Sequence, residues 1–187
     1  MQKTAVGLVG PSGVGATSYG RRLARHHNFQ PCPVFITRPQ RADDGQHVHV
    51  VTCEEFLLLR ESGALLESDQ YMGNWYGSSR DGFEQLCADR SVSGVFFDLT
   101  PNGARQLKVS VPWAIIIALI PDNISWLEQR IRGRATDAEE VILARTRHQP
   151  EYFRELLALG AVRVTCYGSS DTWDATFAEI TKHVFGS

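Results

Sequence analysis

Short apolar runs along the chain alternate with stretches whose apolar residues recur every three to four positions. Runs of the first kind are typical of buried strands, and stretches of the second kind are typical of helices packed on a sheet. The predicted core strands are Ala5–Val9, Val34–Ile36, Gly94–Asp98, Ala114–Ile120 and Val162–Thr165. The predicted helices are Tyr19–His27, Arg80–Asp89, Asn102–Lys108, Ser125–Arg132, Ala138–Leu159 and Thr172–Phe185. The alternation predicts an α/β fold in which helices cover both faces of a central parallel sheet.

One region, residues 47 to 76, interrupts this alternation. It begins with a period-two run, His47–Val51, and continues with a short helical pattern, Glu54–Ser62. Two strand-like pieces follow, Leu65–Glu67 and Asp69–Tyr71. The mixture predicts a small α/β insert on the parallel core. Because the chain contains no tract with the composition of a linker, we expect a single domain.

Composition and charge exclude several classes of protein. A chain of 187 residues is long enough to bury a core without disulfide bonds. A net charge of −2 gives no general attraction to nucleic acid. The longest apolar run, Val111–Ile120, is too short to cross a membrane. We therefore predict neither nucleic-acid binding nor membrane insertion.

Cysteine spacing and the first residues favour a cytoplasmic location. The four cysteines form no C-x-x-C pair, which argues against a zinc site and for free thiols in a reducing compartment. They are Cys32, Cys53, Cys87 and Cys166. The opening Met-Gln-Lys leads directly into a predicted core strand, so we expect no signal peptide.

Residues Gly10 to Thr17 form a glycine-rich loop between a predicted strand and a predicted helix. Their sequence, Gly-Pro-Ser-Gly-Val-Gly-Ala-Thr, matches the phosphate-binding pattern G-x-x-x-x-G-K-[ST] except that Ala16 stands in place of the lysine. The glycines allow successive backbone N–H groups to surround a phosphate, and the Thr17 hydroxyl can hold Mg²⁺. The alternative is a glycine-rich turn without a ligand.

The missing lysine affects catalysis more than binding. A methyl group at position 16 cannot reach the terminal phosphates of a nucleotide or offset the negative charge that develops there during transfer. The backbone N–H groups do not depend on this side chain. We therefore predict that binding persists while phosphoryl transfer is lost or strongly impaired.

Charged residues outside the loop suggest a second anion site. Arg38 and Arg41 lie three residues apart after a predicted strand, so both guanidinium groups can converge on one phosphate, to which Tyr76 can donate its hydroxyl. The alternative is a solvated surface network that includes Glu67. Asp98 ends a predicted strand, where it can orient Mg²⁺ or substrate through water or can cap the next helix.

Six segments in order along the chain resemble guanylate kinase. They are Gly10–Gly15, Thr37–Arg41, Leu66–Glu67, Gly73–Arg80, Phe97–Lys108 and the arginine-rich Arg130–Glu140. The resemblance covers nearly the whole chain. It implies a three-layer P-loop NTPase fold with a core of residues 1–33, 77–131 and 141–187. It also implies a monophosphate-binding insert at 34–76 and a helical lid at 132–140.

The resemblance also implies substrates and site residues. ATP with Mg²⁺ is expected at Gly10, Ser12, Gly13, Val14, Gly15, Ala16, Thr17 and Ser18, with Thr17 on the metal. A nucleoside monophosphate, GMP first, is expected at Arg38, Arg41, Glu67, Tyr76, Ser78 and Thr100, of which Glu67 and Ser78 contact guanine. Catalytic roles are expected for Arg130, Arg134 and Arg145 around the lid and for Asp98.

Three further departures from the family pattern concern the monophosphate site. Val34 stands where the family has a base-binding serine, Val48 where it has a phosphate-binding tyrosine, and Thr100 where it has a base-contacting aspartate. Three hypotheses therefore stay open: an ATP:GMP phosphotransferase disabled by Ala16, a non-catalytic module that binds partner proteins, including phosphorylated ones, and a kinase of another nucleotide or sugar phosphate.

Overall fold

The computed structural model describes residues 2–133, 151–152, 154–169 and 172–186. The strands in these residues are β1 (Thr4–Val9), β2 (Phe29–Pro31), β3 (Val34–Ile36), β4 (Val48–Val50), β5 (Leu65–Tyr71), β6 (Asn74–Ser79), β7 (Gly94–Leu99), β8 (Ile115–Pro121) and β9 (Val162–Cys166). The helices are α1 (Ala16–His27), α2 (Cys53–Glu61), α3 (Arg80–Ala88), α4 (Pro101–Ser110), α5 (Ser125–Gly133) and α6 (Trp173–Phe185). Residues 151–152 and 154–157 are also helical.

The central sheet has five parallel strands in the order β2-β7-β1-β8-β9. Side chains of β1 alternate between its two faces, which places Val6 and Leu8 in one core cluster and Ala5 and Val9 in another. Helices α1 and α6 contribute to the first cluster, and α3 and α4 to the second. The predicted three-layer fold is confirmed.

A second sheet, in the order β4-β3-β6-β5, forms the mixed insert. Here β3 and β4 are parallel, whereas β6 is antiparallel to both β3 and β5. The prediction that Val34–Ile36 is a core strand was wrong, because β3 belongs to this sheet and β2 takes the place at the edge of the central sheet. β2 escaped prediction because it is only three residues long and contains a proline.

The predicted elements of the insert also need two corrections. Leu65–Glu67 and Asp69–Tyr71 are parts of the single strand β5, in which the register shifts between Leu65 and Glu67. Strand β6 was not predicted because its sequence, Asn-Trp-Tyr-Gly-Ser-Ser, lacks an apolar alternation. The sequence therefore located the insert but did not give its strand pairing.

Helix positions agree with the predictions to within about three residues where the chain is described. Helix α1 begins at Ala16, so the last residues of the glycine-rich loop already form its first turn. Most of the predicted helix Ala138–Leu159 lies outside the described residues, and so do residues 134–140 of the predicted lid. Among the helices that are described, none has the length and hydrophobicity needed to traverse a bilayer.

Helix α1 approaches the central sheet closely at Gly20. A Cβ atom added at Gly20 would lie 2.3 Å from Cε2 of Phe96, a ring on β7 that belongs to the same core cluster. Such a distance is far below van der Waals contact, and an aromatic ring packed in a core cannot move aside freely. The absence of a side chain at this position therefore sets how near α1 and its preceding loop lie to β7.

We predict that Gly20→Ala lowers the free energy of unfolding by about 1–3 kcal/mol, because overpacking exceeds the gain in helix propensity. Urea unfolding followed by circular dichroism measures this change. Gly133→Ala is the matched control, since a Cβ added there meets nothing within 4 Å in the described part of the chain. Equal stability of Gly20→Ala and wild type would contradict the close packing.

Candidate functional site

The two sheets enclose a cleft of about 440 Å³ at the carboxyl edge of the central sheet. In the parallel register of β1 and β7, Val9 lies opposite Leu99, so the segments that follow the two strands leave the sheet side by side. One is the glycine-rich loop, and the other contains Thr100. Ligand sites in open parallel sheets lie at such an edge. The sheet topology thus delivers both segments to the cleft.

The glycine-rich loop has the backbone conformation of an anion cradle. Gly13 and Gly15 have φ angles of 92° and 106°, which side chains rarely permit. Gly15 is the N-cap of α1, and within the described structure no side chain caps this helix end. The first residues of α1, Ala16 and Thr17, line the cleft, and a helix N-terminus whose N-cap has no side chain is an arrangement that favours a phosphate.

The side chains of the loop differ in their placement. Ser12 and Thr17 line the cleft, and Ala16 lines it while also packing in the core at 8% exposure. Val14 is buried in the core. Neither Val14 nor Ser18 belongs to the lining within the described residues, so any contact from Val14 comes through its backbone.

Thr17 and Asp98 meet at the mouth of the loop. The Thr17 hydroxyl donates a hydrogen bond of 2.6 Å to Oδ2 of Asp98. Two adjacent oxygen ligands fit Mg²⁺, which takes few protein ligands and completes its shell with water and phosphate oxygens. The alternative that Asp98 caps the next helix is wrong, because Thr100 is the N-cap of α4 and accepts from Gly103 N.

The wall of the cleft formed by the insert has an apolar half and a polar half. Val34 pairs with Val48 in the register of β3 and β4, and both line the cleft. Ser78 is the next neighbour across the sheet, followed by Glu67 on β5. The two valines that depart from the family pattern are therefore adjacent, and they leave β5 and β6 to supply the polar contacts.

Arg38 is held by an acid that the sequence interpretation missed. Its Nη1 and Nη2 donate to the two oxygens of Asp44 at 2.8 and 2.7 Å. This hydrogen bonding raises the pKa of Arg38 and lowers the pKa of Asp44. Arg41 donates its backbone N–H to Asp44 at 2.7 Å, and Tyr76 interacts with Arg38. The predicted phosphate residues thus converge, with Asp44 fixing their loop.

Glu67 is buried at the inner end of the polar half. Its Oε1 accepts the backbone N–H of Ser78 at 2.9 Å and the Ser78 hydroxyl at 2.7 Å. Burial raises the pKa of Glu67 to about 7, although the bonds from Ser78 oppose this shift. A Cβ added at Gly103 would lie 2.6 Å from Oε2, so α4 closes the site from the other side. The carboxylate is held in position before any ligand arrives.

Tyr152 is a further cleft residue that sequence reasoning missed. Its hydroxyl lies 2.8 Å from the carbonyl oxygen of Gly10 and 3.5 Å from that of Leu99. It therefore joins the start of the glycine-rich loop to the end of β7. No local motif marks this tyrosine, because its partners are distant in sequence.

Of the three predicted catalytic arginines, only Arg130 lies in the described part of the chain, and there it packs against two tryptophans. The guanidinium of Arg130 lies 4.6 Å from the ring of Trp126 and 4.8 Å from that of Trp173, and its Nη2 donates to Gly168 O at 3.3 Å. Arg130 is absent from the described lining of the cleft. Arg134 and Arg145 lie outside the described residues.

Comparison with known proteins shows that the chain is similar in sequence to guanylate kinases. The family model described as guanylate kinase matches residues 1–158. A guanylate kinase from Synechococcus sp. (strain CC9311) is 36% identical over 180 residues, which cover 95% of this chain and 91% of that protein. One from Streptococcus thermophilus (strain CNRZ 1066) is 36% identical over 154 residues, covering 80% and 71%.

A solved structure has the same fold. The crystal structure of guanylate kinase from Anaplasma phagocytophilum matches with a TM-score of 0.67 and 18% sequence identity. The match covers 97% of this chain and 85% of the solved one. At this identity the similarity supports the fold, and the sequence matches carry the family.

We predict that the wild-type protein loses stability as pH rises because Glu67 ionises, and that Glu67→Gln removes this loss. The native pKa of about 7 exceeds the ordinary value of 4.5, so the folded state keeps a proton that the unfolded chain releases between these values. The free energy of unfolding therefore falls as pH rises through this window, by about 3 kcal/mol in total.

Urea unfolding between about pH 4 and pH 8 measures the difference between the variant and wild type. We expect Glu67→Gln to gain stability relative to wild type as pH rises and to level off above the native pKa. Because all other titratable groups are the same in the two proteins, their contributions cancel when the two free energies of unfolding are subtracted. A difference independent of pH would show that folding leaves the pKa of Glu67 at its ordinary value.

Proposed function

The chain belongs to the guanylate kinase family, and we propose that it binds GMP and a nucleoside triphosphate in this cleft but transfers phosphoryl groups between them only slowly. The observation that carries the proposal is the meeting of two anion sites in one cleft. The glycine-rich loop lies on one side, and Arg38, Arg41 and Tyr76 lie on the other. Acceptors for a base edge lie at the inner end, on Glu67 and Ser78.

Each half of the cleft suits one nucleotide. The backbone N–H groups at the start of α1 bind phosphates of ATP, and Thr17 with Asp98 holds the accompanying Mg²⁺. ATP with Mg²⁺ supplies the phosphoryl group and part of the charge neutralisation. On the insert, Arg38 is oriented by Asp44, to which Nη1 and Nη2 each donate, and by the carbonyl oxygen of Pro39, which accepts from Nη1 at 2.9 Å. The edge formed by Nε and the second N–H of Nη2 is the one that we propose turns to a phosphate.

Ala16 limits the rate rather than the binding. Its methyl group lines the cleft but carries no charge, so the loop lacks the cation that moves with the terminal phosphates. Removal of one positioned donor from a developing charge commonly lowers kcat by about 10²–10³-fold. The backbone cradle is unaffected by this loss. Slow ATP:GMP phosphotransfer with retained nucleotide binding is the expected result.

We predict that Ala16→Lys raises the rate of GMP phosphorylation by at least about 100-fold, toward the range of roughly 1–100 s⁻¹ typical of kinases. A coupled assay of ADP formation with GMP and MgATP measures it. Ala88→Lys is the control, because it adds the same charge at an exposed position of α3. A fast wild-type enzyme would contradict the proposed impairment. An inactive Ala16→Lys protein would place the cause in Val34, Val48 and Thr100.

We predict that Arg38→Lys weakens GMP binding by at least about tenfold, because lysine keeps the charge beside Asp44 but lacks the planar fork. Calorimetric titration measures the change, and Arg90→Lys, at an exposed site, is the control. A phosphoserine peptide titrated in parallel tests the module hypothesis. Equal GMP affinity in wild type and Arg38→Lys would place the phosphate elsewhere.

A further inference from the structure

We propose that Asp69 is a specificity-determining residue of the monophosphate site, where it accepts an N–H of the amino group on a purine base. The inference rests on the proposed binding of GMP. It concerns a residue that neither the motifs nor the family pattern singled out. It follows from the position of Asp69 on β5 and from its contacts with Thr100 and Asn102 across the cleft.

Asp69 lies on the cleft side of β5, two residues after Glu67. In the register of β5 and β6, Glu67 pairs with Ser78 and Asp69 with Tyr76, and all four residues line the cleft. Side chains two apart on a strand project from the same face, with their Cα atoms roughly 6–7 Å apart. The cleft therefore presents two carboxylates in a row, of which only Glu67 was expected.

Asp69 is held in place by residues at the N-terminus of α4. The Thr100 hydroxyl donates to its Oδ2 at 2.5 Å, and Asn102 Nδ2 donates to its Oδ1 at 3.0 Å. Oδ1 also accepts the backbone N–H of Gln70 at 2.9 Å. Because each carboxylate oxygen has two lone pairs, Oδ2 keeps one acceptor position for a ligand. The contacts orient this carboxylate without exhausting it.

The same contacts show why Thr100 cannot take the role expected at its position. Its Oγ1 already accepts Gly103 N at 3.0 Å as the N-cap of α4, and its single hydrogen goes to Asp69. The hydroxyl thus has no hydrogen left to donate to a base. A neutral hydroxyl is also a weaker acceptor for a base N–H than a carboxylate is. The carboxylate that the family pattern places at position 100 is supplied here from β5, and Thr100 serves as its positioning residue.

Two neighbouring carboxylates select a base edge that carries several donors. An ionised carboxyl group only accepts hydrogen bonds, and a hydrogen bond to such a group is stronger than one between neutral groups. A base with a second donor therefore gains a bond to Asp69 that a base with one donor cannot make. Guanine offers a ring N–H next to an amino group, whereas hypoxanthine offers the ring N–H alone. With Glu67 taking the ring N–H, Asp69 is left for the amino group. The ligand class is a purine nucleoside monophosphate with an amino group beside the ring N–H.

The test compares GMP with IMP, which differ only in this amino group. Calorimetric titration of wild type and Asp69→Asn with each nucleotide gives two affinity ratios. We expect Asp69→Asn to weaken GMP binding by about tenfold and to leave IMP binding within about twofold, so that the preference for GMP falls by about tenfold. Asp81→Asn, at an exposed site on α3, is the control and should keep the wild-type preference.

A second pair of variants tests the positioning by Thr100. Thr100→Val removes the hydrogen bond to Asp69 and should lower the GMP preference, whereas the conservative Thr100→Ser should retain it. Equal loss of GMP and IMP affinity in Asp69→Asn would assign a structural role and overturn the inference, as would an unchanged preference. If wild type binds neither nucleotide, the proposed function fails together with this inference.

Discussion

The cleft depends on the glycine-rich loop being held against the end of β7, and the Tyr152 hydroxyl contributes to this contact. It donates at 2.8 Å to the carbonyl oxygen of Gly10, the first residue after β1, and lies 3.5 Å from that of Leu99, the last residue of β7. Parallel register brings these two strand ends to one edge, but it does not fix the loops beyond them. The hydrogen bond from Thr17 to Asp98 is a second connection between the same loop and the same strand.

The insert places two carboxyl groups, those of Glu67 and Asp69, in the wall of the cleft. A buried acid is costly unless its oxygens are hydrogen-bonded, and Ser78 supplies both bonds to one oxygen of Glu67. Asp69 is satisfied from the opposite side by Thr100 and Asn102. The bonds to Asp69 also join the insert to α4, so a group that we propose binds the base is part of the contact between the insert and the core.

Local motifs explain what could be predicted from the sequence. Residues adjacent in the chain are enough to identify the loop Gly10 to Thr17 and the strands β1, β7, β8 and β9. Asp69 and Tyr152 could not be identified in this way, because their importance arises from partners dozens of residues away. The catalytic role expected of Arg130 from its arginine-rich segment stays a prediction. Its guanidinium packs against Trp126 and Trp173, and the contact with Trp173 is too distant in sequence for a local motif to indicate.

Trp173, the first residue of α6, packs beneath the glycine-rich loop. Its ring stacks on Tyr19 at 4.8 Å and lies so near Gly15 that an added Cβ would be 2.8 Å from it. The family model ends at residue 158, before this tryptophan. The region that the family model matches is therefore smaller than the physical unit that shapes the loop. A truncation at residue 158 would keep the glycine-rich loop and remove the tryptophan that packs beneath it.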